Sequence, residues 1–267
     1  MVKAKPAVAQ LRGLWRRSMF ARPDGTCDTT TTVRWLQGLR SYVDLRQPAQ
    51  GRDFSAVRAL ADLSRDDCSW LATQEGFAGY FGCDGGWFEW QRAIDFQPRT
   101  QYPDVGSLEW DGEELIEKGR DVAYVEHWRR ESGAVAPAAA LVLRQTHGQT
   151  RALLLRVGAV FMFARERVVA PQIPGTLSAC VAAADSVQLA QQLVDCEISF
   201  GTVSAGSFQI TASSLPYRIG DVMHQRLASS QSLTTMDRAI NGDAITRPWD
   251  IVDREGEVGV LDATAGL

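Results

Sequence analysis

The sequence has no C-x-x-C pair, no unbroken apolar run of membrane length and no excess of basic residues, and each absence removes a class of protein. The longest apolar stretches are Val157–Ala164 and Ala134–Leu143, the second broken by Pro137. Both fall well short of the ~20 residues that cross a bilayer as a helix, so no membrane partner is expected. Met1-Val2-Lys3-Ala4-Lys5-Pro6 is followed by no apolar h-region, which argues against a secretory signal. The five cysteines, Cys27, Cys68, Cys83, Cys180 and Cys196, are odd in number and widely spaced. That spacing excludes a zinc ribbon or a thioredoxin-type site, and reduced thiols in a cytoplasmic setting are the expectation. Lys and Arg number 28 against 32 Asp and Glu, a net charge of −4, so nucleic acid is not an expected partner. Phosphate-loop, dinucleotide, zincin and nucleophile-elbow signatures are all missing; Gly201-Thr202-Val203-Ser204-Ala205-Gly206 has the wrong spacing for the last. His127, His147 and His224 lie far apart, without zinc-ligand spacing. No metal or other cofactor is implied.

What remains is an ordinary globular composition, 45% hydrophobic and 22% charged with a mean hydropathy of −0.16. The 267 residues suit one large or two small domains. Short alternating segments between turn residues dominate, the mark of an antiparallel β protein. Arg12–Phe20, with Trp15, Arg17 and Met19 on one face, Thr29–Gln37 and Ser41–Arg46 form an opening meander around the Pro23-Asp24-Gly25 turn. Within 53–75, Phe54, Val57, Leu60, Ala61 and Leu63 recur at helical spacing, and Ser64-Arg65-Asp66-Asp67 caps a second helical turn through Trp70 and Leu71. Strands resume at Phe77–Gly82, Trp87–Phe96, Leu108–Trp110, Leu115–Glu117 and Tyr124–Arg130. A boundary falls in Ser132–Ala140 around Pro137. Beyond it come Leu141–Gln145, two arms within Arg151–Arg167 meeting near Gly158, a helix over Ala183–Leu193, strands at Cys196–Val203 and Phe208–Ser213, and a late strand at Pro248–Val252. Residues 228–247 and 254–267 are polar and no element is expected in them. The absence of a βαβ rhythm argues against Rossmann and TIM architectures. An eight-stranded barrel uses roughly 150 residues, so two barrel-like lobes, or a barrel with a half-barrel appended, fit the length.

Gly13-Leu14-Trp15 shows the G-x-W that opens many lipocalin-like barrels. Tyr42-Val43-Asp44-Leu45, Gly76-Phe77-Ala78-Gly79, Trp90-Gln91-Arg92-Ala93-Ile94-Asp95, Asp104-Val105-Gly106, Leu115-Ile116-Glu117-Lys118-Gly119 and Tyr124-Val125-Glu126-His127-Trp128 follow in order. This succession resembles the Hri family of calycin-like proteins, known in fungi with bacterial relatives. The N-terminal half carries the likeness, and the C-terminal half adds Asp195–Phe200 and the apolar Leu153–Phe163 stretch. The resemblance implies tandem lipocalin-like lobes and a cytosolic setting, and brings no reaction with it. The expected fold is therefore mainly β, with tandem calycin/lipocalin-like antiparallel β-barrel lobes and short helical inserts. Residues 10–132 would form the N-terminal barrel and 138–253 a smaller C-terminal lobe.

Strand alternation selects the candidate site, because side chains i and i+2 share a face. Tyr124, Glu126 and Trp128 align, as do Tyr42, Asp44 and Arg46, and Phe88, Trp90, Arg92 and Ile94. A carboxylate among aromatic walls is desolvated, and a neighbouring arginine opposes that shift. Glu126 or Asp44 is thus a candidate acid/base or ligand anchor, oriented by Arg46 or Arg92, with Tyr42, Trp90, Tyr124 and Trp128 lining the lumen. The same groups fit a buried ion pair that closes the barrel end. Asp95, Asp104 and Glu117 abut turns, where loop bracing is expected. Three functions stay open: cytosolic binding of a small, largely apolar or aromatic molecule in the lumen; a cofactor-independent isomerase, lyase or cyclase working by proton transfer; or a scaffold with filled barrels.

Overall fold

The protein, a computed structural model, is described over residues 4–171 and 175–263. The first lobe consists of β1 (Gly13–Ala21), β2 (Cys27–Asp28), β3 (Thr32–Gln37), β4 (Ser41–Gln47), helix α1 (Arg65–Leu71), β5 (Glu75–Asp84), β6 (Trp87–Asp95), β7 (Val105–Asp111), β8 (Glu114–Gly119) and β9 (Val125–Arg130). Strands β3 to β9 pair in chain order, and β1 pairs antiparallel with both β3 and β9. The sheet therefore closes on itself as an eight-stranded barrel, with β2 appended to the end of β1.

The second lobe comprises β10 (Ala138–Gln145), β11 (Arg151–Val157), β12 (Val160–Arg165), α2 (Leu177–Ala182), α3 (Val187–Val194), β13 (Glu197–Ser204), β14 (Ser207–Ser213), β15 (Val222–Met223), β16 (Gln225–Leu227), β17 (Ser232–Arg238) and β18 (Ala244–Gly256). Only His224 separates β15, which pairs with β14, from β16, which pairs with β17. This one short stretch joins the two ends of the sheet and brings it round into a second barrel. A 3-10 turn caps each lumen: Val8–Leu11 places Leu11 among the first barrel's rings, and Val258–Leu261 places Leu261 in the second core.

The barrels stand back to back. On β4, Tyr42 and Asp44 are buried inward while Val43 and Leu45 are buried outward, so this strand reads as a continuous buried run. Its outward residues join Leu153, Leu155, Met162 and Ile198 of the second barrel in one apolar cluster. Cys68 and Leu71 of α1, Val181 of α2 and Leu193 of α3 complete that cluster, so the helices fill the seam between lobes. Polar clamps fix the docking. The Glu255 carboxylate accepts hydrogen bonds from Arg40 N (2.9 Å), Ser41 N (3.1 Å) and Ser41 Oγ (2.7 Å), and Tyr80 OH donates to Asp253 at 2.8 Å.

Several expectations are corrected. Bulges at Ser18 and Ala93 shift the registers of β1 and β6, so Met19 leaves the face of Trp15 and Arg17, and Ile94 leaves that of Trp90 and Arg92. Ile94 joins the seam instead. Residues 53–63 form turns with one 3-10 turn at Leu60–Asp62 rather than a helix. There Asp53 accepts from Ser55 N, and Asp62 from Arg58 N and Ala59 N, which satisfies the backbone without a helical ladder. The helix expected over 183–193 begins only at Val187, where Ser186 caps α3, and a separate helix, α2, precedes it at Leu177–Ala182. Strands β17 and β18 occupy much of the segment expected to be irregular, because inward residues such as Thr235 and Asp237 are themselves polar and hide the alternation.

Glu255→Ala strands two backbone donors and a hydroxyl at the seam. It should lower unfolding stability by about 2–4 kcal/mol, readable as a reduced urea midpoint, with Glu255→Gln intermediate.

Candidate functional site

The first lumen has two layers. Toward the Leu11 cap, the Trp35 ring lies 5.7 Å from Trp15, 5.7 Å from Phe81, 5.7 Å from Trp90 and 5.3 Å from Trp128. These rings fill the interior there, with Trp15 Nε1 donating to Leu11 O at 2.7 Å. Toward the other end the lumen is ionic. Glu126, 1% exposed, meets Arg17 Nη1 at 2.7 Å and Arg46 Nη1 at 3.1 Å. Arg46 Nε also donates to Asp44 at 2.9 Å, and Arg17 Nη2 to Asp28 at 2.9 Å.

Glu117 pairs directly across from Glu126 on adjacent strands. Like charges so placed repel, and the conflict is relieved if one group stays neutral. Glu117 is that group: burial, followed by Glu126 and Asp104, drives its carboxyl far above the usual range. Trp128 Nε1 donates to one of its oxygens at 3.0 Å, and Tyr124 OH lies 2.6 Å from the other. Tyr124 OH is also 3.4 Å from Asp104. A neutral Glu117 can donate to the Tyr124 oxygen, leaving the phenol proton for Asp104. Gly119 permits this chain, since a β-carbon there would stand 2.4 Å from the Tyr124 ring.

Asp104 leads out to a cleft. The β6–β7 ladder consists of Phe88 opposite Gly106 and Glu89 opposite Val105, extended by Trp90 N donating to Asp104 O at 2.9 Å. Past that point the strands part around a cleft of about 620 Å³. Trp90, Arg92, Asp95 and Asp104 line it together with Tyr80, Tyr102 and Arg151 of the second lobe. Arg92 stacks 3.6 Å above the Phe77 ring, pairs with Asp104, and lies 3.6 Å from Asp95. The Tyr42 hydroxyl is fully buried in the electrostatic range of Arg92, Asp104, Asp95 and Asp44, and it has no hydrogen-bond partner among the described residues.

All eight sequence-selected residues therefore lie in the first barrel, in three groups. Glu126, Asp44 and Arg46 are joined by ion pairs. Tyr124 and Trp128 converge on Glu117. Trp90 and Arg92 reach the cleft, while Tyr42 stays enclosed near Arg92. Sequence reasoning placed Glu117, Asp104 and Asp95 at turns; the structure places all three in the polar network. The available signal was alternation, since Glu117 shares a face with Leu115. Among the described residues no group of three or more His, Cys, Asp or Glu side chains is placed to hold a metal ion. The second barrel repeats the layering, with Arg165, Glu197, Arg218 and Asp237 buried at one end and Trp249, Phe161 and Phe208 packed beyond them.

No family model and no curated protein matches the chain. Among solved structures it is similar to an uncharacterized protein, YLR301w, from Saccharomyces cerevisiae, with a TM-score of 0.51 and 12% identity over 91% of this chain and 98% of that one. At that identity the likeness concerns the fold.

Burial drives Asp44 up to about 6, against the pull of Arg46. A carboxyl raised above its unfolded value adds stability at low pH and loses it as pH rises through the folded value. The stability difference between Asp44→Asn and the parent should therefore shift by on the order of 3 kcal/mol in the variant's favour from pH 4 to pH 7. Urea midpoints of the two proteins across that range check it, and a flat difference contradicts it.

Proposed function

We propose that the protein binds a small, largely aromatic molecule carrying a hydrogen-bond acceptor, seated in the β6–β7 cleft of the first barrel. The observation that carries this reading is the orphaned Tyr42 hydroxyl. Leaving such a group unpaired costs about 1–3 kcal/mol, a cost removed when an acceptor arrives. Arg92 lines the cleft and lies in electrostatic range of that hydroxyl, so in this reading the acceptor passes Arg92 to reach Tyr42, which is enclosed behind the lining. Trp90 and the half-exposed Tyr102 offer aromatic surface for the rest of the molecule. With the rings around Trp35 packed against each other, the cleft rather than the lumen centre is the seat. The calycin-like and Hri-family affinity belongs to the same proposal. Its support is Gly13-Leu14-Trp15 opening the first strand of a closed eight-stranded barrel. The cytosolic setting rests on five cysteines that form no disulfide.

A second reading, a cofactor-independent isomerase, lyase or cyclase, is favoured by the Glu117–Tyr124–Asp104 chain, which ends at the cleft. In that reading Asp104 exchanges the proton with substrate, while Glu126, held by two arginines, organises the layer behind it.

Quenching of tryptophan fluorescence by 2-acetylnaphthalene and by its hydrocarbon analogue 2-ethylnaphthalene tests the binding reading. The ketone should bind saturably and about tenfold more tightly. Tyr42→Phe should abolish that preference while leaving the free protein as stable or about 1 kcal/mol more stable. Tyr102→Ala should weaken both compounds. Equal affinities, or a preference that survives Tyr42→Phe, would count against the site.

A further inference from the structure

A second recess lies on the seam at the polar end of the second barrel. Segment 52–58 of the first lobe forms one wall, and the 3-10 turn Pro216–Arg218 with the residues that follow forms the other, around a volume of about 580 Å³. Beside the recess the two lobes are tied together. Ala61 N donates to Ile240 O at 3.0 Å, and Gln191 Nε2 donates to Ala61 O at 3.1 Å and Leu63 O at 2.7 Å.

Phe54, Tyr217 and Ile219 supply apolar surface, and Ile219 is 51% exposed. Three arginines, Arg52, Arg58 and Arg238, face one lining carboxylate, Asp221. Asp221 is already saturated: Arg238 grips both its oxygens at 2.6 and 3.0 Å, and Arg218 approaches at 3.1 Å. Arg52 pairs with Asp67. The Arg58 guanidinium has no hydrogen bond or ion pair among the described residues. In the first-lobe cleft, by contrast, Arg92, Arg99 and Arg151 are matched by Glu89, Asp95 and Asp104. In a chain of net charge −4 this recess thus carries a surplus of positive charge beside exposed apolar surface.

From this charge and shape complementarity we propose that the groove is a second binding site, for a small amphipathic organic anion. The apolar body lies across Phe54, Tyr217 and Ile219, and the acid group pairs with Arg58. This site is independent of the first-lobe cleft, and its occupant touches both lobes.

Isothermal titration of the full chain with 4-phenylbutyrate and with the neutral 4-phenylbutyramide tests the proposal. The acid should bind saturably and at least tenfold more tightly than the amide, with affinity falling as salt is raised. Arg58→Glu should weaken the acid at least tenfold and leave the amide unchanged; Arg58 is exposed, so the melting temperature should hold. Ile219→Ser should weaken both compounds, and in a Tyr102→Ala background, which weakens the first-lobe cleft, the groove should still bind the acid and still lose it on Arg58→Glu. No saturable binding of the acid, equal affinity for acid and amide, indifference to Arg58→Glu, or loss of binding on Tyr102→Ala would each overturn it.

Discussion

A charge inside a barrel is tolerable only when an opposite charge or a donor is brought to it, and the grip of Arg17 and Arg46 on Glu126 meets that requirement at the heart of the first lobe. The three residues come from β1, β4 and β9, so the ion pairs span the barrel interior and depend on every register between them. Such a network contributes little net stability compared with apolar packing, because desolvation offsets most of the attraction. Its effect is on geometry. With Glu126 held, Glu117 is left opposite it without an arginine of its own, and Tyr124, Trp128 and Asp104 are arranged around that neutral acid.

The second barrel meets the same requirement with other residues. Arg218 Nε lies 3.1 Å from Glu197, Arg165 Nη2 lies 2.7 Å from Asp195, and Arg247 reaches Asp237. In both lobes an apolar half under a terminal 3-10 turn carries the hydrophobic stabilisation, and the opposite half is left to charges. The seam adds a third core, made from outward faces that a solitary barrel would leave in water. Because β4 is buried on both sides, the two lobes share a wall, and a disturbance on one side of it reaches the other through tightly packed side chains.

Both recesses arise where that packing runs out. The cleft opens because β6 and β7 part after a short ladder, exposing to solvent inward-facing groups that the rest of the barrel hides. The groove opens where turns of the two lobes meet without interdigitating. One recess is balanced in charge and adjoins the Glu117–Tyr124–Asp104 chain of polar contacts; the other is basic and adjoins a closed ion-pair core. The difference makes them complementary to different chemistries.

The pattern of residues along the chain was enough to establish a mainly β protein with two barrel-like lobes and the faces of β4 and β9, because the pleat's period of two is local and each strand states its own alternation. It also carried Ser64 as a helix cap, since Ser64 Oγ and Asp67 N are neighbours in sequence. Bulges at Ser18 and Ala93 were not legible, because a single inserted residue is defined only against the partner strand. Nor were β17 and the ends of β18 beyond the expected Pro248–Val252; on β17 inward Asp237 serves charges contributed by distant β12 and the turn at Arg218. Which acid stays neutral, which hydroxyl lacks a partner and which arginine is spare are properties of neighbours assembled from across the chain. Tertiary structure alone decides them, because desolvation and Coulomb interaction depend on distance in space rather than separation in sequence.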